Sequence, residues 1–214
     1  MVANQEESWK ETYNRQGDIW RSMYPRGYSH FKGLQALLDY AEPDMHLLDI
    51  GIGTGEAALP FLKKGLRVTG IDISQRALEL CRAKFSNEEI PESQFDLREV
   101  SLQEFEYHLN EYDIVIDYYT SQHVGRNDQK RFFQSVAQLR SGSFLLVGQF
   151  SPTHLKTKEN FISKGNGIFV SENRFFCVRM PDEMSDKLRG LEFEILKLIS
   201  YEEKGFYEVL ATKG

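Results

Sequence analysis

The sequence has few cysteines, no long apolar run and no recognisable metal-ligand spacing. Only two cysteines occur among 214 residues, Cys81 and Cys177, which lie far apart and form no CxxC motif. We therefore expect two reduced thiols, no disulfide framework and no metal site. No apolar segment reaches the roughly 20 residues of a membrane span, and the polar start MVANQEESWK lacks the apolar region of a signal peptide. These absences predict a cytoplasmic globular protein.

Charge is mixed along the chain rather than gathered in tracts. The 32 acidic residues outnumber the 26 basic ones, which gives a formal net charge of −6. Because duplex nucleic acids are bound mainly through neutralised phosphates, this balance argues against a nucleic-acid partner. No repeat or flexible linker divides the sequence, and its length suits one domain with a substantial core. A single domain over residues 1–214 is predicted, as a monomer or homodimer.

Short apolar runs alternate with helical patterns in the middle of the chain. The runs are rich in β-branched or aromatic residues, as buried strands are; they cover 46–50, 67–71, 112–117 and 143–150, with a weaker candidate at 94–99. Helical spacing occurs at 74–85, where Ser74 is placed as an N-cap, and at 127–142. This alternation predicts an α/β fold with a doubly wound, mostly parallel sheet and helices on both faces.

Both ends of the chain break this alternation. Residues 191–195 and 206–212 are predicted strands joined by the short turn YEEKG, which requires an antiparallel C-terminal hairpin. Residues 151–180 have no clean period but contain four phenylalanines, which favours a substrate lid over disorder. The predicted parts are an N-terminal helical cap at 1–45, a ligand-binding core at 46–150, the lid at 151–180, and the last helix and hairpin at 181–214.

The stretch LLDIGIGTGE, residues 47–56, runs from a predicted strand into a glycine-rich loop. Gly51, Gly53 and Gly55 allow a tight turn and the close approach of a ligand to the backbone. The spacing G-x-G-x-G differs from the dinucleotide fingerprint G-x-G-x-x-G, and no Walker lysine follows. Asp49 and Glu56 flank the loop and would repel a pyrophosphate, whereas they would attract a ligand that carries positive charge.

Asp72 ends the next predicted strand, in the stretch GIDIS. It follows Gly51 by 21 residues (72 − 51), a separation at which an acidic side chain can reach the hydroxyls of a ribose. Together with the glycine loop, Asp72 indicates a nucleoside with a free ribose, little negative charge and a positively charged tail. S-adenosylmethionine (SAM), an adenosine with a sulfonium and an amino acid end, has this chemistry.

Three motifs in this order resemble those of class I SAM-dependent methyltransferases: DIGIGTG at 49–55, GIDIS at 70–74 and YDIVID at 112–117. The resemblance covers roughly residues 45–150, and the terminal hairpin fits the seven-stranded Rossmann-like sheet of that family, whose last strand inserts antiparallel. It is nearest to the small-molecule branch, of the thiopurine and tellurite-resistance type or with a methyltransferase-11/25-like domain. It implies SAM as the cofactor and S-adenosylhomocysteine (SAH) as the product.

The resemblance also implies a role for each matching position. The positions assigned to the cofactor are Asp49, Gly51, Ile52, Gly53 and Gly55 for its methionine end, Asp72 for the ribose, Ile73, Ser101 and Leu102 around the adenine, and Asp117 and Tyr118 beside the sulfonium. The acid that this family often places against the adenine amine falls at Val100, or at Glu99 if the register slips. Backbone groups at Ser101 and Leu102 are expected to replace it.

Aromatic residues of the N-terminal segment have two interpretations. Trp20 and Tyr28, with Tyr24 between them, are either core residues of a helix pair or part of a cap over the cofactor. In the cap, aromatic faces would favour the sulfonium through cation–π attraction.

His123 is the candidate catalytic base. It lies six residues after Asp117 (123 − 117), near the expected point of transfer, and histidine exchanges protons near neutral pH. Alternatively it only packs there, since methyl transfer from a sulfonium needs positioning more than acid–base chemistry. Tyr119, Gln122 and His30 are weaker candidates.

The sequence therefore predicts a SAM-dependent methyltransferase that transfers the sulfonium methyl in line to a small-molecule acceptor. A protein or RNA methyltransferase and a non-catalytic SAM-binding protein are the alternatives. Neither a metal ion nor a membrane is expected as a partner.

Overall fold

The computed structural model describes residues 5–19, 31–171 and 174–214. The helices of these residues are α1 (Gln5–Gln16), α2 (Lys32–Tyr40), α3 (Leu59–Lys63), α4 (Gln75–Asn87), α5 (Arg126–Val136), α6 (Pro152–Lys156) and α7 (Pro181–Arg189). The strands are β1 (His46–Ile50), β2 (Arg67–Asp72), β3 (Phe95–Glu99), β4 (Ile114–Tyr118), β5 (Phe144–Phe150), β6 (Ile162–Gly165), β7 (Ile168–Ser171), β8 (Arg174–Cys177), β9 (Phe193–Tyr201) and β10 (Phe206–Lys213). Trp20, Tyr24, Tyr28 and His30 lie outside the described residues.

Seven strands form one sheet in the order β3-β2-β1-β4-β5-β10-β9. Strands β1 to β5 are parallel to their neighbours, whereas β10 inserts between β5 and β9 and is antiparallel to both. This confirms the predicted α/β fold, with its mostly parallel seven-stranded sheet and C-terminal antiparallel hairpin. The strand order reverses between β1 and β4, and in open α/β sheets ligands bind beyond the carboxyl ends of the strands at such a point.

Helices cover both faces of the sheet. On one face α2, α3 and α4 contribute Leu37, Phe61 and Phe85 to the core, and on the other face α5 and α7 contribute Phe133 and Leu188. All five side chains are fully buried. This packing removes apolar area from water on both sides of the sheet, which is the main term that stabilises such a layered fold.

Local sequence signals explain how α3 and α4 begin. Ser74 is the N-cap of α4, as predicted, because its hydroxyl oxygen accepts a hydrogen bond from Ala77 N at 3.2 Å. Helix α3 begins at Leu59, later than Glu56, and Pro60 occupies its second position. A proline there costs little, since the first backbone N–H groups of a helix have no internal partner. Both helices therefore start directly after the loops that follow β1 and β2.

The predicted lid segment is more regular than its sequence pattern indicated. Strands β6, β7 and β8 form a separate antiparallel sheet, and Phe169 and Phe176 pack there with Leu155 of α6 in a small core. Each of these strands has only four residues, which is too short for an alternating pattern to stand out.

Strand β9 is longer than predicted. It extends to Tyr201 rather than ending at residue 195, because an edge strand tolerates polar and charged residues that obscure the apolar alternation. No helix within the described ranges is long and apolar enough to cross a membrane.

Candidate functional site

The loop between β1 and α3 is packed tightly against its neighbours. Gly51, Gly53 and Gly55 have φ angles of +69°, +54° and +81°, in the left-handed region that glycine adopts without steric cost. A Cβ on Gly51 would lie 2.0 Å from Thr120 Oγ1, and one on Gly55 would lie 2.6 Å from the Phe85 ring. Gly51 and Gly55 are therefore required for close packing as well as for backbone conformation.

The Asp72 carboxylate ties this loop to the end of β2. Its Oδ2 accepts a hydrogen bond from Gly53 N at 2.9 Å, and its Oδ1 accepts one from Ser74 N at 2.9 Å. Burial raises the pKa of Asp72 to about 6, although these backbone hydrogen bonds act in the opposite direction. Asp72 also lines a cleft at the carboxyl ends of the strands, and each of its oxygens can accept a second hydrogen bond there.

Asp49 lies at the base of the loop, on the same face of the sheet as Asp72. It pairs in register with Gly70 on β2, and alternate residues of a strand share a face. Its buried Oδ2 has no hydrogen-bond partner among the described residues. Burial raises the pKa of Asp49 to about 8, and the charges of Asp72 and Asp117 add to this effect. A cationic donor beside this oxygen would favour the ionised form.

Replacing Asp49 by asparagine is expected to stabilise the unliganded protein near neutral pH. The pKa of Asp49 is about 8 in the folded state against 3.8 for an ordinary aspartate. Between these values the folded state holds a proton that the unfolded state has released, so this residue's contribution to stability is lost as pH rises. An asparagine side chain does not titrate, so the gain over wild type should grow from about pH 4 to about pH 8.

Urea unfolding at several pH values measures this gain. Asp96→Asn, at an exposed position on β3, is the matched control and should show no comparable trend. A gain for Asp49→Asn that is the same at every pH would contradict the prediction.

Asp117 and Tyr118 end strand β4. Asp117 is fully buried, and its Oδ1 accepts a hydrogen bond from Ser121 N at 2.9 Å, while its Oδ2 has no partner within the described ranges. Burial raises the pKa of Asp117 to about 6. Tyr118 lines the cleft, and its hydroxyl donates to the buried Glu208 on β10. Asp117 is not among the described residues that line the cleft.

Glu56 does not contribute free negative charge to the loop. Its carboxylate forms an ion pair with Lys84 of α4, which also contacts Asp18 at 3.0 Å. The sequence suggests that Glu56 is a second charge that would repel a pyrophosphate; this prediction is wrong, because Lys84 neutralises it. Of the other two carboxylates at this loop, Asp72 lines the cleft, whereas Asp49 is buried and is not among the described lining residues.

Apolar side chains form the wall beyond Asp72. Ile73, Val100 and Leu102 all line the cleft, which gives it a surface suited to a flat, uncharged ring system. Ser101 is buried and its hydroxyl donates to Glu104 Oε2 at 3.0 Å. Of the predicted adenine contacts, Ile73 and Leu102 therefore face the cleft with their side chains, whereas the Ser101 side chain is hydrogen-bonded to Glu104.

Ile52 and Glu99 also do not line the cleft within the described residues. Ile52 is buried against β2, where a Cβ on Gly70 would lie 2.3 Å from Ile52 Cδ1. Glu99 is exposed at the end of β3. The structure therefore gives Ile52 a packing contact beneath the glycine loop.

Helix α1 closes the other side of the cleft with residues that the sequence did not identify as site residues. Gln5, Glu6, Trp9 and Tyr13 all line the cleft from this helix. In the sequence these residues are recognisable only as part of an aromatic N-terminal segment with a helical pattern. Which of these side chains faces the cleft depends on how α1 docks, and a local pattern does not contain that information.

Long-range contacts anchor α1 and the residues after it to two parts of the chain. The Gln5 amide accepts from Phe175 N at 3.0 Å and donates to Phe175 O at 2.8 Å, which joins the helix to β8. Just beyond the helix, Asp18 accepts a hydrogen bond from Thr54 Oγ1 at 3.0 Å and pairs with Lys84. The segment from Gln5 to Asp18 thus spans from the sheet of β6, β7 and β8 to the glycine loop.

His123 lines the cleft between two aromatic rings. Its ring centroid lies 5.1 Å from that of Trp9 and 4.6 Å from that of Phe176. Nδ1 lies 3.1 Å from Phe175 O and 2.9 Å from Gln5 Nε2, so it has a partner in either tautomer. Burial lowers the pKa of His123 to about 3, which keeps the ring neutral near physiological pH. These contacts suit a positioning role, and its role as a base stays a prediction.

Residues 47–141 match the sequence profile of the family described as a methyltransferase domain. The match covers the three motifs and the strands on both sides of the cleft. This part of the chain is similar to a methyltransferase domain. The resemblance based on the motifs is thereby confirmed, and the sheet order places the glycine loop of the domain at the crevice between β1 and β4.

Comparison with an individual protein also indicates similarity to methyltransferases. A protein of Geobacillus sp. (strain WCH70), provisionally named a methyltransferase, is 41% identical over 44 residues. That alignment spans 21% of this chain and 18% of the relative, about a fifth of each.

Solved structures extend the similarity to nearly the whole chain. The 1,6-didemethyltoxoflavin-N1-methyltransferase of Burkholderia thailandensis, with its substrate and SAH bound, has a TM-score of 0.71 at 16% identity, over 97% of this chain and 86% of its own. The [4+2]-cyclase SpnF has a TM-score of 0.70 at 16% identity, over 100% of this chain and 97% of its own. At such identities the similarity shows the fold alone, and the methyltransferase fold does not by itself decide the reaction.

Proposed function

We propose that this protein is a SAM-dependent methyltransferase that acts on a small molecule in the cytoplasm, as a monomer or homodimer. The observation that carries the cofactor assignment is the unpartnered, buried Asp49 oxygen beneath a glycine loop that lies at the crevice between β1 and β4. A ligand that approaches this backbone closely and brings a cation would satisfy it. The ammonium and sulfonium of SAM supply such charge, and SAH is bound to the neighbour from Burkholderia thailandensis.

The chain offers a group for each part of this cofactor. Asp49 and the glycine loop would hold the methionine end, and Asp72 would accept hydrogen bonds from the ribose hydroxyls. Ile73 and Leu102 would pack against the adenine, and Tyr118 would border the sulfonium. When bound, SAM supplies a methyl group activated by the positive sulfur. The residues around it need only hold the acceptor in line with that methyl and exclude water.

A small acceptor is favoured by the way α1 covers the cleft. Gln5 and Trp9 face the cleft from α1, and Gln5 is hydrogen-bonded to β8. A folded protein or an RNA needs an open surface beside the reactive methyl, whereas a small molecule fits beneath a helix that closes after it enters. The structure from Burkholderia thailandensis, which has a similar fold, contains bound 1,6-didemethyltoxoflavin.

Two measurements test the proposal in order. Calorimetric titration with SAH tests the cofactor assignment, and we expect saturable binding. Transfer of radiolabelled methyl from SAM is then followed into three separate fractions of a cell extract: small molecules, protein and RNA. Label in the small-molecule fraction is the expected result.

The other outcomes identify the alternatives. Label confined to the protein or RNA fraction would indicate a macromolecular acceptor. Saturable SAH binding without transfer to any fraction would favour a non-catalytic SAM-binding protein. Absence of SAH binding to folded protein would overturn the cofactor assignment itself.

A further inference from the structure

A second cleft opens between the β6–β7 hairpin and the segment that leads into α7. It encloses about 1240 Å³, including its open mouth, and shares no described lining residue with the cofactor cleft. Three cationic side chains line it: Arg126 at the start of α5, Lys156 at the end of α6, and Arg179 just before α7. Three separate elements therefore bring positive charge to one cavity.

Carboxylates of the described residues do not pair with these cations. None of the ion pairs formed within that part of the chain includes Arg126, Lys156 or Arg179, although the chain as a whole has a net charge of −6. Glu183 is the one acidic side chain among the described lining residues. Its Oε2 accepts a hydrogen bond from Met180 N at 2.9 Å, which engages it at the first turn of α7. The cleft thus concentrates positive charge.

Arg179 is held in place from the protein side. Its Nη1 donates to Gln129 Oε1 at 2.5 Å. Gln129 is fully buried, and its amide nitrogen donates to Ser121 O at 2.8 Å and Cys177 O at 2.6 Å. A guanidinium has five N–H donors, so Arg179 can also donate to a ligand. Because its side chain is already ordered, binding through it would cost little conformational entropy.

The two arginines also act on each other. Burial lowers the pKa of Arg179, and the charge of Arg126 contributes in the same direction, whereas Cys177, Tyr207 and Glu183 act in the opposite direction. Two like charges that border one cleft repel each other. An anion between them would attract both and so offset this repulsion. Guanidinium groups bind oxyanions through directed, charge-assisted hydrogen bonds.

We propose that this cleft binds a phosphate group, either as inorganic phosphate or as the monoester of a small molecule. A phosphate dianion has enough oxygens and charge to engage Arg126, Lys156 and Arg179 together, whereas a single carboxylate offers two oxygens and one charge. The Ser163 hydroxyl and the Asn166 amide also line the cleft and can add neutral donors. The site is independent of the proposed methyl transfer.

Calorimetric titration of the full chain tests this site with two probes, inorganic phosphate and glycerol phosphate, in chloride buffer at matched ionic strength. We expect saturable binding of at least one probe to wild type. The variants Arg126→Gln and Lys156→Gln should each weaken it about tenfold, since each removes a charge-assisted hydrogen bond. Lys197→Gln, at an exposed position on β9, removes the same charge elsewhere and should leave binding unchanged. Thermal unfolding in chloride alone checks that all variants fold.

Each outcome distinguishes between sources or overturns the site. Tighter binding of glycerol phosphate than of inorganic phosphate indicates a monoester ligand, and the reverse order indicates free phosphate. Failure of both probes to saturate would overturn the proposal, and so would equal weakening in Lys197→Gln. SAH titration of the same samples is read separately, so a failure of the methyltransferase assignment would not be mistaken for a failure of this site.

Discussion

Replacing Gly51 by alanine is expected to abolish SAH binding and to lower the free energy of unfolding by about 2–5 kcal/mol. A side chain at φ +69° is strained, which accounts for about 1–2 kcal/mol. The new Cβ would also lie 2.0 Å from Thr120 Oγ1 and 2.8 Å from Thr120 Cβ. The whole Thr120 side chain must therefore move, and Thr120 lines the cleft in which we propose that SAH binds.

Gly142→Ala is the matched control for this prediction. Gly142 has a φ angle of +83°, but nothing lies within 4 Å of a Cβ built there. The free energy of unfolding of Gly142→Ala should fall by only about 1–2 kcal/mol, which is the cost of the strained backbone. Its affinity for SAH should equal that of wild type. Urea unfolding and SAH calorimetry on both variants separate the two effects. Equal destabilisation of the two variants, or normal SAH binding by Gly51→Ala, would contradict the prediction. Either result would show that the loop can accommodate a side chain at position 51.

Replacing Asp72 by asparagine is expected to weaken SAH binding about 100-fold or more. An asparagine amide has one acceptor oxygen, whereas Asp72 accepts from both Gly53 N and Ser74 N. One of these backbone N–H groups would then face an NH₂ group, and a buried donor without an acceptor costs about 1–3 kcal/mol. The variant also loses charged acceptors for the ribose hydroxyls, and such hydrogen bonds are worth about 1.5–3 kcal/mol each.

Asp96→Asn, on the exposed surface of β3, removes the same charge and should leave SAH affinity unchanged. Titration of SAH and of adenosine separates the two roles of Asp72, because adenosine has the ribose but lacks the methionine end. We expect both ligands to lose affinity in Asp72→Asn. If Asp72→Asn loses affinity for SAH but not for adenosine, Asp72 would act by ordering the loop rather than by binding the ribose. Unchanged affinity for both would remove Asp72 from the site.

Local patterns were sufficient to determine the fold class of this protein. The strand at 46–50 was predicted with the same bounds that β1 has, and 67–71, 94–99 and 143–150 differ from β2, β3 and β5 by a single residue. Strands β1, β2 and β5 are largely buried on both faces, so their apolar residues are contiguous and stand out. Strand β3 lies at the edge of the sheet and is mostly exposed, so its pattern is weaker. The turn YEEKG likewise required an antiparallel hairpin, because a turn of that length cannot connect parallel strands.

The glycine-rich loop, which we propose faces the cofactor, was also evident from the sequence, because glycine spacing and flanking carboxylates are local properties. Gly51, Gly53 and Gly55 have the positive φ angles that such a loop needs. Asp72 lies at the end of β2 with its carboxylate bonded to Gly53 N. The identity of the domain could therefore be recognised before any contact was known.

The tertiary structure alone decided which charges and rings surround the cleft and its glycine loop. Glu56 is neutralised by Lys84, 28 residues away, and Gln5 meets Phe175, 170 residues away. The pKa of Asp49 is raised because burial and two other carboxylates act on it together. Such effects depend on distances between residues that are remote in sequence, and a pattern of neighbours cannot encode them. The sequence by itself determined the methyltransferase scaffold, whereas packing across the chain decided the chemistry of its site.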